Sequence, residues 1–382
     1  MEIPHKFDDI RPFVPEELPQ VFDRLLANEQ FRSVLAYLYP GVPVEAIAAK
    51  MKQCHTNLDF QKAFCYTFLH DLLKKVSLGC TANFANVDLN GRYTFISNHR
   101  DIVLDSALLD VMLVDSGCDT TCEIAIGDNL LSLPWVKDLV RVNKSFIVKR
   151  SLSMREMLMA SKLLSEYMHF AINDKNDNIW IAQREGRAKD SNDRTQEAIL
   201  KMMTMACEGS VVDRLLNLHL VPLAISYEFD PCDFLKAQEF QLKRDIPGWK
   251  KSAHDDVVSM QTGIMGYKGH IHYHAAPCID SWLKAIPADT PKTEIYRIIA
   301  EHIDHEIHSH YQLYPVNFVA LDMLQGSQAH ASEYSAEDKA KFEKYLAAQL
   351  AKIQIENKDE AFLSDCILRM YANPAINKLA AL

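Results

Sequence analysis

The chain has little glycine and proline, 12 and 15 in 382 residues, and no stretch dominated by a few residue types. That excludes collagen-like and low-complexity chains, and no unit recurs at the period of a solenoid. Its nine cysteines stand at 54, 65, 80, 118, 122, 207, 232, 278 and 366 without a Cys-x-x-Cys pair, which argues against a disulfide framework and for free thiols in a reducing cytoplasm. No run of about 18 residues is apolar and uncharged, so no spanning helix is expected. The best candidate, Leu215–Ile225, is short and broken by Asn217 and His219. The opening MEIPHKFDDIRPFVPEEL is acidic and lacks the apolar core of a signal peptide. Positive charge is also scarce: a formal net charge of −10 speaks against non-specific nucleic-acid binding and a nucleic-acid partner.

What is present is an ordinary globular composition, 48% hydrophobic and 24% charged, long enough for a sizeable core. Residues 1–85 read as a helical segment, with apolar spacing near 3.6 in Val44–Cys54 and Phe60–Val76. Between 86 and 330 short β-rich runs (Tyr93–Ser97, Cys122–Ile126, Ser145–Val148, Ile179–Ala182, Leu220–Ser226) alternate with helical stretches (Ile102–Val114, Ser153–Asn173, Thr195–Glu208). This alternation predicts an α/β domain, a layered sandwich with a largely parallel central sheet flanked by helices. A hairpin is expected near Gly266–Ala275. Residues 331–382 return to helix: one segment starts at Ser335 and reaches Ile355, and another covers Glu360–Tyr371 before Pro374.

Four stretches carry candidate chemistry. The first is Asn98-His99-Arg100-Asp101 followed by a greasy helix that nevertheless holds Asp105. With Asp101 as cap, Asp105 falls on the face of Ile102, Leu108, Leu109 and Met112, where a charge needs a partner. His99 is the nearest candidate. A carboxylate on one imidazole nitrogen fixes the tautomer and leaves the other nitrogen free as a general base. Asp101 is the alternative partner for His99, and a backbone amide or Arg100 the alternative partner for Asp105. The second stretch is Ser145-Phe146-Ile147-Val148-Lys149-Arg150, a strand ending in two cations. The third is Gln183-Arg184-Glu185-Gly186-Arg187-Ala188-Lys189 after an apolar strand, with a glycine that permits a tight turn and cations suited to an anion. The fourth, Leu220–Glu228, contains Val221-Pro222 and reads as a core strand. In open α/β sheets, ligands bind outside the carboxyl ends of the strands, where three of these clusters fall.

Other histidines are set aside. His270, His272 and His274 alternate on one strand face without an acid or thiol to complete a zinc site. Among His302, His305, His308 and His310, Ser309 stands where a His-Glu-x-x-His motif from His305 needs its second histidine. The amphipathic Lys339–Ile355 reads as a packing helix rather than a membrane foot.

In order and context the four stretches resemble the motif blocks of the glycerolipid acyltransferase superfamily. Asn98-His99 with Asp105 is similar to its Asn-His-x4-Asp block with one residue added. Phe146–Arg150 is similar to its Phe-Ile-…-Arg strand, Glu185-Gly186-Arg187 to Glu-Gly-x-Arg with one residue fewer, and Val221-Pro222 to its proline-marked strand. The resemblance covers about residues 90–230. It implies an acyltransferase moving a fatty acyl group from acyl-CoA or acyl-carrier protein to a hydroxyl of glycerol-3-phosphate or a lysophospholipid. His99 would be the base and Asp105 its partner. Arg100, Lys149, Arg150, Glu185, Gly186, Arg187 and Lys189 would form the substrate and phosphate site. No cofactor or metal is implied, and the protein would work at the cytoplasmic membrane face. The altered blocks also fit an acyltransferase for an amino-acid lysolipid, or a non-catalytic lipid- or acyl-carrier-binding protein of the same fold.

Overall fold

The computed structural model describes residues 3–150 and 152–382. Seven strands form one sheet: β1 Gly79–Asn83, β2 Thr94–Ser97, β3 Cys122–Gly127, β4 Ser145–Val148, β5 Asn178–Ala182, β6 Leu220–Tyr227 and β7 His270–Ala275. Their order is β1-β7-β6-β2-β5-β3-β4. The five from β6 to β4 run parallel, while β7 pairs antiparallel with β6 and parallel with β1. The fold is therefore α/β with a mostly parallel sheet between helical layers, as the alternation predicts.

Side-chain alternation along the strands builds the two faces. Phe95, Trp180, Val221, Leu223 and Ile225 enter one core with the helices Leu104–Asp115 and Thr67–Val76. Ile96, Ile179, Ile181, Leu220 and Ala224 enter the other, under Met154–Asn173 and Ile295–Ser309. β2 lies between β5 and β6, in register Ser97↔Ala182 and Ser97↔Leu223, so the turn after it opens at the middle of the sheet's carboxyl end. The N-terminal helices around Phe22, Phe31 and Phe60 and the C-terminal helices around Phe342 and Tyr371 form two further cores.

The expected elements differ from the observed ones at four places. β1 lies inside the segment read as helical, because its edge position asks for little apolar content and Gly79-Cys-Thr-Ala-Asn supplies little. The expected hairpin is instead the single strand β7, whose neighbours come from distant β6 and β1. A helix at Val211–Leu216, capped by Ser210, stands where the sequence reading expects no element. The last helix, Glu360–Ala381, passes through Pro374 rather than stopping before it, with Tyr371, Ala372, Ala375 and Asn377 buried on both sides of the proline. The helix Ala336–Lys352 buries Phe342 and Leu346, so it packs as expected.

Candidate active site

The turn after β2 is built by one carboxylate. Asp105 Oδ2 accepts three hydrogen bonds, from His99 Nδ1 at 2.8 Å and from the backbone amides of Arg100 and Asp101 at 2.6 and 3.0 Å. This answers what holds an acid on the apolar side of a helix: it folds the preceding loop back over the helix start. Asp105 is fully buried, and its second oxygen has no hydrogen-bond partner among the described residues. Asp101 performs a different task. Its Oδ1 accepts the amides of Val103 and Leu104, and the helix begins at Leu104, two residues later than the sequence suggests.

His99 is held on its other sides by packing. Its ring meets Trp180 edge-on with centroids 5.6 Å apart, and Trp180 Nε1 donates to Ser97 Oγ at 3.0 Å. Asn98 bridges strands, accepting from Ile225 N at 2.8 Å and donating to Ile225 O at 2.9 Å. Tyr273 Oη, on β7, donates to the Asp105 carbonyl at 2.9 Å. The imidazole side chain retains 13% exposure, so Nδ1 is committed to the acid while the ring keeps an outlet to solvent. With Nδ1 bonded to the acid, Nε2 is the ring nitrogen left to exchange a proton.

The cations fall into two groups, the first of them bordering this loop. Arg100 is buried against Asp193, with Nη2 to Oδ2 2.7 Å, and lies over the Tyr311 ring. Burial works against its charge, but Asp193 leads the neighbours that hold its pKa above the ordinary arginine value. Arg184 also faces Asp193 electrostatically, and Arg187 faces Asp230 and Asp101. Among the described residues, Arg100 Nη1, Arg184 Nε and Arg187 Nη1 are buried donors that find no acceptor. Arg184 stands in the third stretch beside Glu185-Gly186, but the resemblance gives it no role. Buried guanidinium N–H groups left over in this way suit an incoming anion.

The second group is more open. Arg150 takes its backbone amide to Asp128 Oδ1 at 3.0 Å and gives Nη1 to Glu185 Oε1 at 2.6 Å. Its side chain crosses Gly127, where a Cβ would stand 2.8 Å from Nε. Gly186 has φ +66°, a left-handed turn that its lack of a Cβ permits. Lys149 is half-exposed, 3.9 Å from Asp9. Lys149, Arg150 and Glu185 line one part of an open groove of about 1100 Å³ whose walls include Met157, Leu163 and Ile199. Lys189 is drawn away from this groove into an ion pair with Glu239. Burial lowers its pKa despite that partner.

The loop is roofed by the helix Ala253–Met265. Gly263 comes so close that a Cβ there would lie 2.0 Å from Asp101 Oδ2. Beneath it Lys268 is completely buried, donates to the carbonyls of Ile264 and Gly266, and has its pKa pushed down by burial to about 8. No sequence motif marks either residue.

No curated protein matches the chain. Among solved structures it is similar to the 1-acyl-sn-glycerophosphate acyltransferase of Thermotoga maritima, at 12% identity and a TM-score of 0.38, over 78% of this chain and 98% of that one. The family model described as Acyltransferase matches residues 80–226. That span runs from β1 to β6 and contains His99, Asp105 and both groups of cations.

Proposed function

We propose that the protein transfers a fatty acyl group from a thioester donor, acyl-CoA or acyl-carrier protein, to a hydroxyl of glycerol-3-phosphate or a lysophospholipid. The observation that carries this reading is the His99–Asp105 hydrogen bond at the carboxyl end of the parallel sheet, among arginines with unsatisfied buried donors. His99 Nε2 takes the proton of the acceptor hydroxyl as its oxygen attacks the thioester carbonyl. Asp105 stabilises the imidazolium. Collapse of the tetrahedral intermediate forms the ester, breaks the carbon–sulfur bond, and expels the thiolate, which takes the proton back from His99. General-base assistance contributes on the order of 10²–10⁴-fold, and positioning of both substrates contributes the larger share.

Arg150, with Lys149, faces the groove and is the first candidate for a phosphate of donor or acceptor, exchanging Glu185 for the ligand. Arg100 and Arg187 act from beneath, joined by Arg184. Lys189, paired with Glu239, and Gly186, in its turn, shape the loop that presents them. Among the described residues no helix is long and apolar enough to cross a membrane. Action on a lipid acceptor therefore needs docking at a membrane surface, and the cytoplasmic face fits the free thiols.

The test is release of free thiol from acyl-CoA and acyl-carrier-protein donors with glycerol-3-phosphate and a panel of lysolipids as acceptors. Turnover is expected, and His99→Ala should abolish it while the far-ultraviolet circular dichroism stays unchanged. Inactivity with every donor and acceptor, accompanied by retained lipid binding, would favour a binding protein that kept the fold.

A further inference from the structure

Far from His99, at the amino-terminal end of β6, three side chains of metal-binding type converge: His219, Cys278 and Asp280, with one potential ligand atom from each lying within 4.8 Å of the others. Among the described residues this is the group of His, Cys, Asp and Glu close enough to share an ion. The histidines that look metal-like in sequence, 270, 272 and 274, do not take part.

Backbone geometry explains why they meet. Ile279 donates its amide to Leu220 O at 3.0 Å, and Ala276 donates to Pro222 O at 2.9 Å, which fastens segment 276–279 beside the start of β6. The Ile279 side chain is buried in the core. Its neighbours Cys278 and Asp280, two residues apart, are turned the opposite way, toward His219. His219 immediately precedes Leu220 and has φ +48°, a left-handed conformation that a non-glycine residue adopts at a cost of about 1 kcal/mol or more. Its Nδ1 lies 2.6 Å from Asp280 Oδ2. Asp280 Oδ1, in contrast, is buried with no hydrogen-bond partner among the described residues. A strained histidine, a thiol and an unpaired buried carboxylate oxygen are thus gathered from two segments some 60 residues apart.

We propose that His219, Cys278 and Asp280 form a three-ligand site for a divalent cation of the zinc class, clamping the start of β6 to the segment after β7. Mixed nitrogen, sulfur and oxygen donors select zinc or cobalt over magnesium and calcium, which demand oxygen ligands. Zinc bonds of about 2.0–2.3 Å place tetrahedral ligand atoms roughly 3.3–3.8 Å apart, so modest side-chain rotation closes the set. Because the residues are only partly buried, water completes the fourth position. On binding, the Cys278 thiol loses its proton to solvent, as does a protonated imidazole Nδ1, and metal–sulfur, metal–nitrogen and metal–oxygen bonds form without any redox change. The site holds segments together at the opposite end of the sheet from His99, and takes no part in acyl transfer.

The full chain, stripped with chelator and desalted, is titrated with Co²⁺ in the presence of a mild non-thiol reductant. One equivalent should generate a thiolate-to-cobalt charge-transfer absorption, which Zn²⁺ then bleaches. Cys278→Ser should abolish the absorption, and His219→Gln and Asp280→Asn should each weaken binding at least tenfold, a loss comparable to or above that for residues outside the ligand set. Cys207→Ser, altering an exposed cysteine elsewhere, should leave it intact. Zn²⁺ should raise Tm for the parent and Cys207→Ser chains but not for Asp280→Asn. Absence of a one-equivalent cobalt–thiolate band in the parent, or its persistence in Cys278→Ser, overturns the proposal. If Cys278→Ser does not fold, an unchanged Co²⁺ affinity in Asp280→Asn overturns it equally.

Discussion

Asp105→Asn separates charge from shape at the centre of the site. In the native protein Oδ2 alone accepts the three donors, His99 Nδ1, Arg100 N and Asp101 N, while Oδ1 is buried and unpaired. An asparagine can put its carbonyl oxygen where Oδ2 stands, keep all three bonds, and leave its NH₂ at the unpartnered position. The loop and the imidazole orientation survive. The negative charge facing the imidazolium does not. Two unit charges about 4 Å apart at an effective dielectric near 20 interact by about 4 kcal/mol. Exchanging a charge-assisted hydrogen bond for a neutral one removes about 1–2 kcal/mol by itself. A loss of about 2–4 kcal/mol from the transition state lowers kcat about 30- to 1,000-fold. Stability should move little, because the cost of an unpaired buried NH₂, about 1–3 kcal/mol, is opposed by removal of a buried charge. Thiol release at saturating donor and acceptor, beside thermal unfolding of the same preparation, reads both quantities. Asp101→Asn is the matched control: its side chain caps Val103 and Leu104 without touching His99, and Asn caps as well as Asp, so its rate should stay close to wild type. A wild-type rate in Asp105→Asn, or a loss no greater than in Asp101→Asn, would refute the assignment.

Three further outcomes follow from other parts of the structure. Gly263→Ala drives a methyl to 2.0 Å from Asp101 Oδ2 and should cost about 1–3 kcal/mol by overpacking, seen as a lower denaturation midpoint together with a lower rate. Arg150→Ala should raise KM for the phosphate-bearing substrate about 10- to 100-fold with a smaller change in kcat, as expected for loss of a charge-assisted contact, and Glu185→Gln should not raise it. Burial lifts the Asp110 carboxyl to about 7 from an ordinary 3.8, so the native state binds that proton more tightly than the unfolded chain does. Its contribution to stability is complete below pH 4 and is lost as pH rises through 7, by up to about 4 kcal/mol. Asp110→Asn should therefore gain on wild type across that window when Tm is followed against pH.

Local order is what the sequence determines on its own here. Short, nearly continuous apolar runs ending in polar clusters specify the strands from 94 to 227, since in a sheet covered on both sides every side chain faces one core or the other. The Asn98-His99 turn, the Val148-Lys149-Arg150 end and the Glu185-Gly186-Arg187 turn are legible for the same reason: each interrupts an apolar strand at its carboxyl end. Asp105 stands out because a charge on a greasy helix face demands a partner. The tertiary structure decides which partner, since both Asp101 and Asp105 lie within a few residues of His99 and only the folded loop brings Asp105 Oδ2 to Nδ1. It also decides which cations are tied up, pairing Arg100 with Asp193 and Lys189 with Glu239 across 93 and 50 residues of chain. The roof at Gly263, the edge strand β1 and the meeting of His219 with Cys278 and Asp280 leave no local pattern either. Contacts between residues distant in the chain are set by the burial of whole faces, and a sequence window short enough to show a period cannot contain both sides of them.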